Sequence, residues 1–368
     1  MTATLDNVSL DVGGQHYIRG VSLNLVPGSV NVLLGPTLSG KTSLMRLFAG
    51  LDRPTAGRIL VDNVDVTGMA VRQRNVAMVY QQFINYPGLT VYENIASPLR
   101  VQKLPKQEID KRVREAAQLL RLEPYLQRTP LQLSGGQQQR TAIARALVKR
   151  AALVLLDEPL ANLDFKLREE LREELPRIFE ASGAIFVYAT TEPSEALLLG
   201  GNVACLWQGE VLQFGPTSQV YRRPDNLRAA AVFADPPLNS LSARICGSQV
   251  KFVESSATQP CRGLLAGLPD GDYTLAFRAH QIRLDHPDPN YYSFPSKVII
   301  TEITGSESFV HLAHSGTPWV AVLPGVSALV PDAKATVAID PANILVFAHG
   351  GALVRAPERR QGGNDGAH

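Results

Sequence analysis

The hydrophobic positions fall into two regimes along the chain. In the first, short and nearly apolar runs alternate with helix-like stretches. Val30-Asn31-Val32-Leu33-Leu34 ends at Gly35, Ala152-Leu153-Val154-Leu155-Leu156 ends at Asp157, and Ala184-Ile185-Phe186-Val187-Tyr188-Ala189 makes a third run. Runs of this length without polar alternation suit parallel strands buried on both faces. Between them, one helical pattern covers 44–49 and stops at Gly50, a residue suited to the left-handed position past a helix end. Another covers 107–122, rich in helix formers behind Pro105. The alternation predicts a sheet with helices packed on it. In the second regime, from Ser242 onward, the apolar runs are brief and parted by Gly, Pro and Asp: 274–277, 297–303, 309–313, 319–323 and 335–339. That spacing predicts a small all-β domain of barrel type. The change of character falls near Pro236-Pro237. The expected division is an α/β domain over 1–234, a β-rich domain over 235–357 and a polar, flexible tail over 358–368.

Chemistry enters at the ends of these runs. Gly35-Pro36-Thr37-Leu38-Ser39-Gly40-Lys41-Thr42 matches G-x-x-x-x-G-K-[ST] between a predicted strand and a predicted helix. Glycines there let the backbone curl so that several N–H groups point at phosphate oxygens, and the helix dipole favours the same charge. Lys41 would set its ammonium against the β- and γ-phosphates. The Thr42 hydroxyl would bind Mg²⁺, with Ser43 in support. Asp157, at the end of a neighbouring parallel strand, is expected to reach the metal. Glu158 is then placed to orient or deprotonate a water attacking the γ-phosphate.

A second glycine turn, Leu133-Ser134-Gly135-Gly136-Gln137, opens a helix running to about Lys149. It makes another anion site at a helix N-terminus. A chain with one cradle lysine has no use for a second phosphate site of its own. The pattern therefore implies a dimer in which each chain completes the other's nucleotide pocket.

Bulk properties narrow the picture without adding to it. The 368 residues suit two domains, with 45% hydrophobic and 19% charged positions of ordinary globular kind. A formal net charge of +2 gives no electrostatic case for a nucleic-acid partner or for binding an anionic membrane. Cys205, Cys246 and Cys261 have neither metal-ligand nor disulfide-framework spacing. The first residues lack the basic and apolar segments of a secretory signal. No stretch approaches the ~18 apolar residues of a membrane span, so any membrane part is expected from other chains.

Together the two glycine turns and the Asp157-Glu158 pair resemble the ATP-binding subunits of ABC transporters, in particular the importers of carbohydrates and polyols. The resemblance covers nearly the whole chain. It implies an α/β P-loop NTPase fold with a helical subdomain over about 83–150, followed by a small OB-like regulatory β domain. Gln81, in Val79-Tyr80-Gln81-Gln82, matches the family glutamine that contacts Mg²⁺ and the attacking water. Asp164, in Leu160-Ala161-Asn162-Leu163-Asp164, matches a loop that crosses the dimer interface. Residues 83–95, with Phe83, Tyr86 and Tyr92 as exposed aromatics, look like the groove that receives a permease helix. Shorter matches at Ser240-Leu241, Phe277-Arg278-Ala279-His280, Gly305-Ser306-Glu307 and Ile339-Asp340-Pro341 resemble the regulatory domain of the same importers. The implied cofactors are ATP and Mg²⁺. The implied partners are two membrane-spanning permease subunits, a second ABC ATPase subunit (related or identical) and, indirectly, an extracellular substrate-binding protein, with no nucleic acid. The implied location is the cytoplasmic face of the inner membrane.

Three departures modify that expectation. Thr191 occupies the place of a histidine that contacts the γ-phosphate in the family, and threonine can donate a hydrogen bond but carries no charge. By spacing, Val12 falls where relatives stack an aromatic on adenine. Tyr17 or His16 would substitute, and Tyr17 is the candidate taken forward. Leu38 replaces a glycine frequent in the cradle. The expected outcome is a chain that binds ATP, hydrolyses it slowly at its own site and pairs with a second ATPase to import a small polyol or sugar, glycerol favoured. A fully active homodimeric sugar-importer ATPase, a non-hydrolysing subunit and a soluble ABC ATPase outside transport remain the alternatives.

Overall fold

A computed structural model describes residues 1–82, 84–161, 165–253, 258–286 and 288–358. The chain divides into two compact units, Met1–Ser218 and Gln219–His368. The division falls ahead of the composition change at Pro236-Pro237 that suggested a boundary after residue 234.

The first unit begins with β1 (Ala3–Val12), β2 (Gln15–Leu25), β3 (Val30–Leu34), α1 (Lys41–Ala49), β4 (Ala56–Val61), β5 (Val64–Asp65) and β6 (Val76–Val79). A helical excursion follows, with α2 (Val91–Val101), α3 (Lys106–Leu119) and α4 (Gly135–Leu147). The chain returns through β7 (Leu153–Asp157), α5 (Phe165–Ser182), β8 (Ile185–Thr190), α6 (Pro193–Leu199), β9 (Asn202–Trp207) and β10 (Glu210–Pro216). Strands in the order β2-β1-β4-β5 form an antiparallel sheet. The three apolar runs become β3, β7 and β8, each buried along its whole length. They sit in a six-stranded sheet of order β10-β9-β3-β8-β7-β6, parallel except for the edge strand β10.

That order corrects one expectation. Strand β7, which ends at Asp157, does not neighbour β3; β8 lies between them. Asp157 still reaches the phosphate loop because parallel strands deliver their C-terminal ends to the same edge of the sheet. Helix α1 ends as predicted, with Gly50 at φ 76° accepting the left-handed turn. A single core joins the two sheets and α1, through residues such as Leu5, Ile59, Leu44, Leu47 and Val187.

The chain passes into the second unit within α7 (Thr217–Arg222), followed by α8 (Leu227–Val232). The strands are β11 (Asn239–Cys246), β12 (Gln249–Phe252), β13 (Thr258–Pro260), β14 (Gly271–Phe277), β15 (Ile282–Leu284), β16 (Tyr292–Ile303), β17 (Glu307–His314), β18 (Thr317–Pro324), β19 (Lys334–Ile339), β20 (Leu345–Ala348) and β21 (Leu353–Arg355). They form two sheets, β13-β12-β11-β14-β20-β21 and β15-β19-β16-β17-β18. Burial alternates along β11 and β17, the period-two pattern of strands with one face inward. Side chains from both sheets share one core. Trp319 anchors it, edge-on to Phe277 at 5.3 Å and to Phe294 at 5.6 Å, with its indole N–H donating to the Ser240 carbonyl.

Candidate active site

The loop between β3 and α1 is shaped by two glycines that no other residue could replace. A Cβ on Gly35 would stand 2.5 Å from the Leu206 carbonyl oxygen and 2.6 Å from Ser39 Oγ. Gly40 has φ 106°, and a Cβ there would meet Ile18 Cδ1 at 2.8 Å. Between them Leu38 takes a left-handed φ of 66° and stands 93% exposed. Pro36 and Thr37 are also exposed. Ser39 is buried and its hydroxyl meets no acceptor or donor among the described residues.

Lys41, only 4% exposed, turns its ammonium into this loop, donating to the carbonyls of Gly35 at 2.8 Å and Pro36 at 3.0 Å. The same ammonium lies 3.6 Å from Glu158. Burial lowers the Lys41 pKa, and the Glu158 charge opposes that shift. Glu158 in turn accepts from the Gln81 side-chain amide at 2.9 Å. Thr42 Oγ1 donates to Asp157 at 2.9 Å. Burial raises the Asp157 carboxyl, partly offset by that Thr42 hydrogen bond. Lys41, Thr42, Gln81, Asp157 and Glu158 are thus brought together, from β3–α1, the segment after β6 and the end of β7. Glu158 holds a φ of 44°, fixed by its N–H donating to Ala189 of β8 at 3.1 Å. Ser43, beside Thr42 on α1, is half-buried.

A magnesium–nucleotide fits these residues. The loop offers curled backbone, a buried ammonium and an orphaned Ser39 hydroxyl. Thr42 and Asp157 present the hard oxygen donors that Mg²⁺ prefers. Among the described residues no three His, Cys, Asp or Glu side chains form a metal cage. Mg²⁺ characteristically takes one or two carboxylates and completes its shell on substrate phosphates.

The other sequence candidates lie apart from this network. Thr191 is exposed, just beyond the end of β8. Its neighbours are pinned instead. Thr190 donates to Glu195 at 2.6 Å, and Glu192 is clamped by Arg168 at 2.9 Å and Arg172 at 2.5 Å. Tyr17 is exposed on β2, and its main-chain oxygen lies 3.2 Å from the position a Gly40 Cβ would take. Val12, at the turn of the β1–β2 hairpin, is exposed, and His16 is occupied by Asp11. Asp164 and Phe83 lie outside the described residues.

The second glycine turn has a different character. Ser134 caps α4, its Oγ accepting from the Gln137 N–H at 3.4 Å while Gln137 Oε1 accepts from the Ser134 N–H at 3.1 Å. Ser134 and Gly135 are exposed, and Gly136 is buried beneath them. Among the described residues nothing stands within 4 Å of a Cβ placed on Gly135.

Sequence reasoning missed the residues that tie Gln81's segment to α4. Buried Asn94 accepts from the Tyr86 N–H and donates to the carbonyls of Tyr86, Leu89 and Thr90, so one side chain shapes the whole loop. Asn85 donates to Gln138 at 2.8 Å, and the Arg145 guanidinium lies 4.5 Å from the centre of the exposed Tyr86 ring while donating to the Ile84 carbonyl. Tyr92, expected among the exposed aromatics, is half-buried because its hydroxyl is spent on Asp110 of α3. A cavity of about 330 Å³ opens here, walled by Val79, Ile84, Tyr86, Pro98, Arg145 and Lys149 among others. The signal that could have found Asn94 is a polar side chain one position past the first turn of an otherwise apolar helix face.

Comparison with known proteins follows the same lines. Residues 18–161 match the family described as ABC transporter. The chain is 37% identical over 355 residues to the sn-glycerol-3-phosphate import ATP-binding protein UgpC of Brucella abortus biovar 1 (strain 9-941), covering 95% of this chain and 98% of that protein. It is 35% identical over 353 residues to the trehalose/maltose import ATP-binding protein MalK of Thermococcus litoralis, covering 90% of this chain and 93% of that one. Among solved structures, the dimeric post-hydrolysis state of an ATP-binding cassette bound to ADP and phosphate is similar with a TM-score of 0.53 and 32% identity. It covers 58% of this chain and 98% of the cassette.

Proposed function

This chain belongs to the ATP-binding proteins of the ABC transporter family, and on that premise we propose that it powers import of a small polyol, polyol phosphate or sugar across a membrane. ATP bound at Gly35–Thr42 draws a second ATPase subunit against it, closure moves the permease, and hydrolysis resets the pair. The relatives named for sn-glycerol-3-phosphate and for trehalose/maltose support the substrate class, and within it glycerol is the substrate we favour. The permease helix docks against the cavity beside Tyr86 and Arg145. No helix among the described residues is long and apolar enough to cross a membrane. In keeping with the import relatives, we place the chain as a peripheral subunit at the cytoplasmic face, with two permease subunits supplying the span and an extracellular binding protein delivering substrate.

The observation that carries the reading is the continuous contact from Gln81 through Glu158 to Lys41, beside the Thr42–Asp157 bond. When bound, Mg²⁺ would be held by Thr42 and Asp157, with Gln81 near, and would neutralise charge on the phosphates. Lys41 then gives up its loop carbonyls for phosphate oxygens. Glu158, already held by Gln81, accepts the proton of the attacking water. Tyr17 stacks on the base, while Ser134, Gly135, Gly136 and Gln137 of one subunit cap the triphosphate of the other, with Asp164 at the same junction.

Thr191 makes this chain the slower member of a heterodimer, since no imidazole is available to support the γ-phosphate. The intact Lys41–Glu158–Gln81 network favours the competing reading, a working homodimer. Turnover of the purified chain alone separates them. Slow hydrolysis with normal nucleotide affinity supports the heterodimer. Brisk hydrolysis that Glu158→Gln abolishes replaces it with the homodimer.

A further inference from the structure

The second unit carries a concentration of cations that the nucleotide chemistry does not use. Arg278, just past β14, lies with its guanidinium carbon 3.8 Å from the centre of the Tyr221 ring, and its Nη2 donates to the Tyr221 carbonyl at 2.6 Å. Its Nε is buried and meets no acceptor among the described residues. Two cavities, of about 280 and 370 Å³, share His280, Gln281 and Asn343 in their walls. Arg283, Tyr291 and Asp340 face the smaller one; Arg222, Arg278, Tyr221 and Glu358 face the larger. Asp340 is already engaged, accepting from the Ala342 N–H at 2.9 Å and the Asn343 amide at 2.6 Å. Three guanidinium groups and an imidazole therefore face two carboxylates, one of them spent on its own turn.

The cost of this arrangement falls on Arg278, because Arg222, His280 and Arg283 are exposed. Burial lowers the Arg278 pKa. The His280 side chain reaches solvent, yet partial desolvation and then the charges of Arg278 and Arg283 lower its pKa. A buried guanidinium N–H without a partner adds its own desolvation cost. A bound oxyanion would reverse each of these at once, because arginine forks match phosphate geometry and an adjacent negative charge favours the imidazolium. We propose that the two cavities sharing His280, Gln281 and Asn343, between Arg278 and Arg283, form a binding site for a small phosphate-class oxyanion, separate from the nucleotide site.

The test uses the full chain carrying Lys41→Ala, which removes the phosphate loop as a competing binder. Inorganic phosphate is the probe, and the His280 imidazole is followed by NMR with labelled histidine, assigned through His280→Gln. The expected result is a saturable shift of the His280 resonance and an upward move of its titration midpoint. Arg278→Gln should weaken phosphate binding at least about tenfold, the worth of one charge-assisted hydrogen bond. Arg283→Gln serves as the second variant should loss of the Tyr221 stack compromise folding, and it should also weaken binding. The proposal is overturned if phosphate gives no saturable shift. It is equally overturned if chloride at matched ionic strength gives the same shift, since that is screening alone, or if affinity survives both arginine substitutions.

Discussion

The two glycine turns of the first unit share a vocabulary of small residues and a helix start, yet they are built oppositely. The loop from Gly35 to Thr42 is closed on itself: Lys41 is buried, its ammonium is satisfied by loop carbonyls, and Glu158 and Gln81 stand behind it. The turn at Ser134 is open. The Ser134 and Gln137 side chains are spent on each other's N–H groups in the cap of α4, and no described atom lies within 4 Å of a Cβ placed on Gly135. One turn gathers its own lysine, carboxylates and glutamine around a single loop. In the proposed reading the other turn is completed by a second subunit, whose bound phosphate would meet its N–H groups. The proposed function thus assigns chemistry and assembly to different turns, so that each should be open to damage alone.

The largest effect is expected where the closed turn meets its base. Glu158→Gln keeps an oxygen that can accept from Gln81 at the same place, so folding and nucleotide affinity should persist. The loss of a proton acceptor should lower turnover by about 10²–10⁴, measured as phosphate release from whichever dimer hydrolyses. Equal turnover in the variant would remove Glu158 from the chemistry. The complementary break is Gly135→Asp. The site has room for the side chain, but a carboxylate aimed at another subunit's triphosphate is a like-charge contact worth several kcal/mol. ATP-dependent association, followed by light scattering in the Glu158→Gln background, should weaken by at least about a hundredfold while ATP affinity of the single chain holds. If both fell together, the open turn would belong to the chain's own pocket.

The difference between the turns also governs what the sequence could disclose. The closed loop was legible because close approach of Leu206 and Ile18 leaves only glycine possible at 35 and 40. The open turn was legible because Ser134 and Gln137 form a cap written in local spacing. Strands β3, β7 and β8 announced themselves as unbroken apolar runs, and the second unit through its period-two segments. The β1–β2 hairpin escaped notice because its register shifts between Leu5, Val8, Leu10 and Asp11 interrupt the alternation. Strand order is not written along the chain, so the insertion of β8 between β3 and β7 had to be seen. Asn94 reads as an ordinary polar helix position until its four hydrogen bonds to Tyr86, Leu89 and Thr90 are visible.

A smaller effect should sharpen the role of the segment after β8. Thr191 sits between two anchored residues, Thr190 on Glu195 and Glu192 on Arg168 and Arg172. A histidine introduced there enters a backbone that is already fixed, so Thr191→His tests the side chain and not the loop. Turnover of the chain's own site should rise about tenfold, short of the ~10²–10³ that loss of a transition-state donor costs. Thr191→Ala should change little if the hydroxyl is not engaged. A Thr191→Ala variant as crippled as Glu158→Gln would show that threonine already does the histidine's work.

The subtlest consequence lies in the anchor itself. Glu195 is 4% exposed, accepts from Tyr188 at 3.0 Å and Thr190 at 2.6 Å, and lies 3.5 Å from Arg172. Burial raises its carboxyl pKa; the Thr190 hydrogen bond opposes this and the Glu192 charge adds to it. A folded-state pKa above the unfolded value means that the native protein holds this proton more tightly. The resulting stability is complete below the ordinary glutamate pKa and is lost as pH rises through the raised one. Glu195→Gln keeps an acceptor for both hydroxyls and leaves Arg172 with Glu169 and Glu192. The variant should therefore match the wild type in acid and gain on it as pH climbs through that window. Urea unfolding followed by Trp207 fluorescence in a Trp319→Phe background reports on the first unit alone, because Trp207 and Trp319 are the chain's two tryptophans. A difference that stays flat with pH would mean that Glu195 is ionised in both states, held by Arg172, and that the anchor beside Thr191 is a salt bridge and not a shared proton.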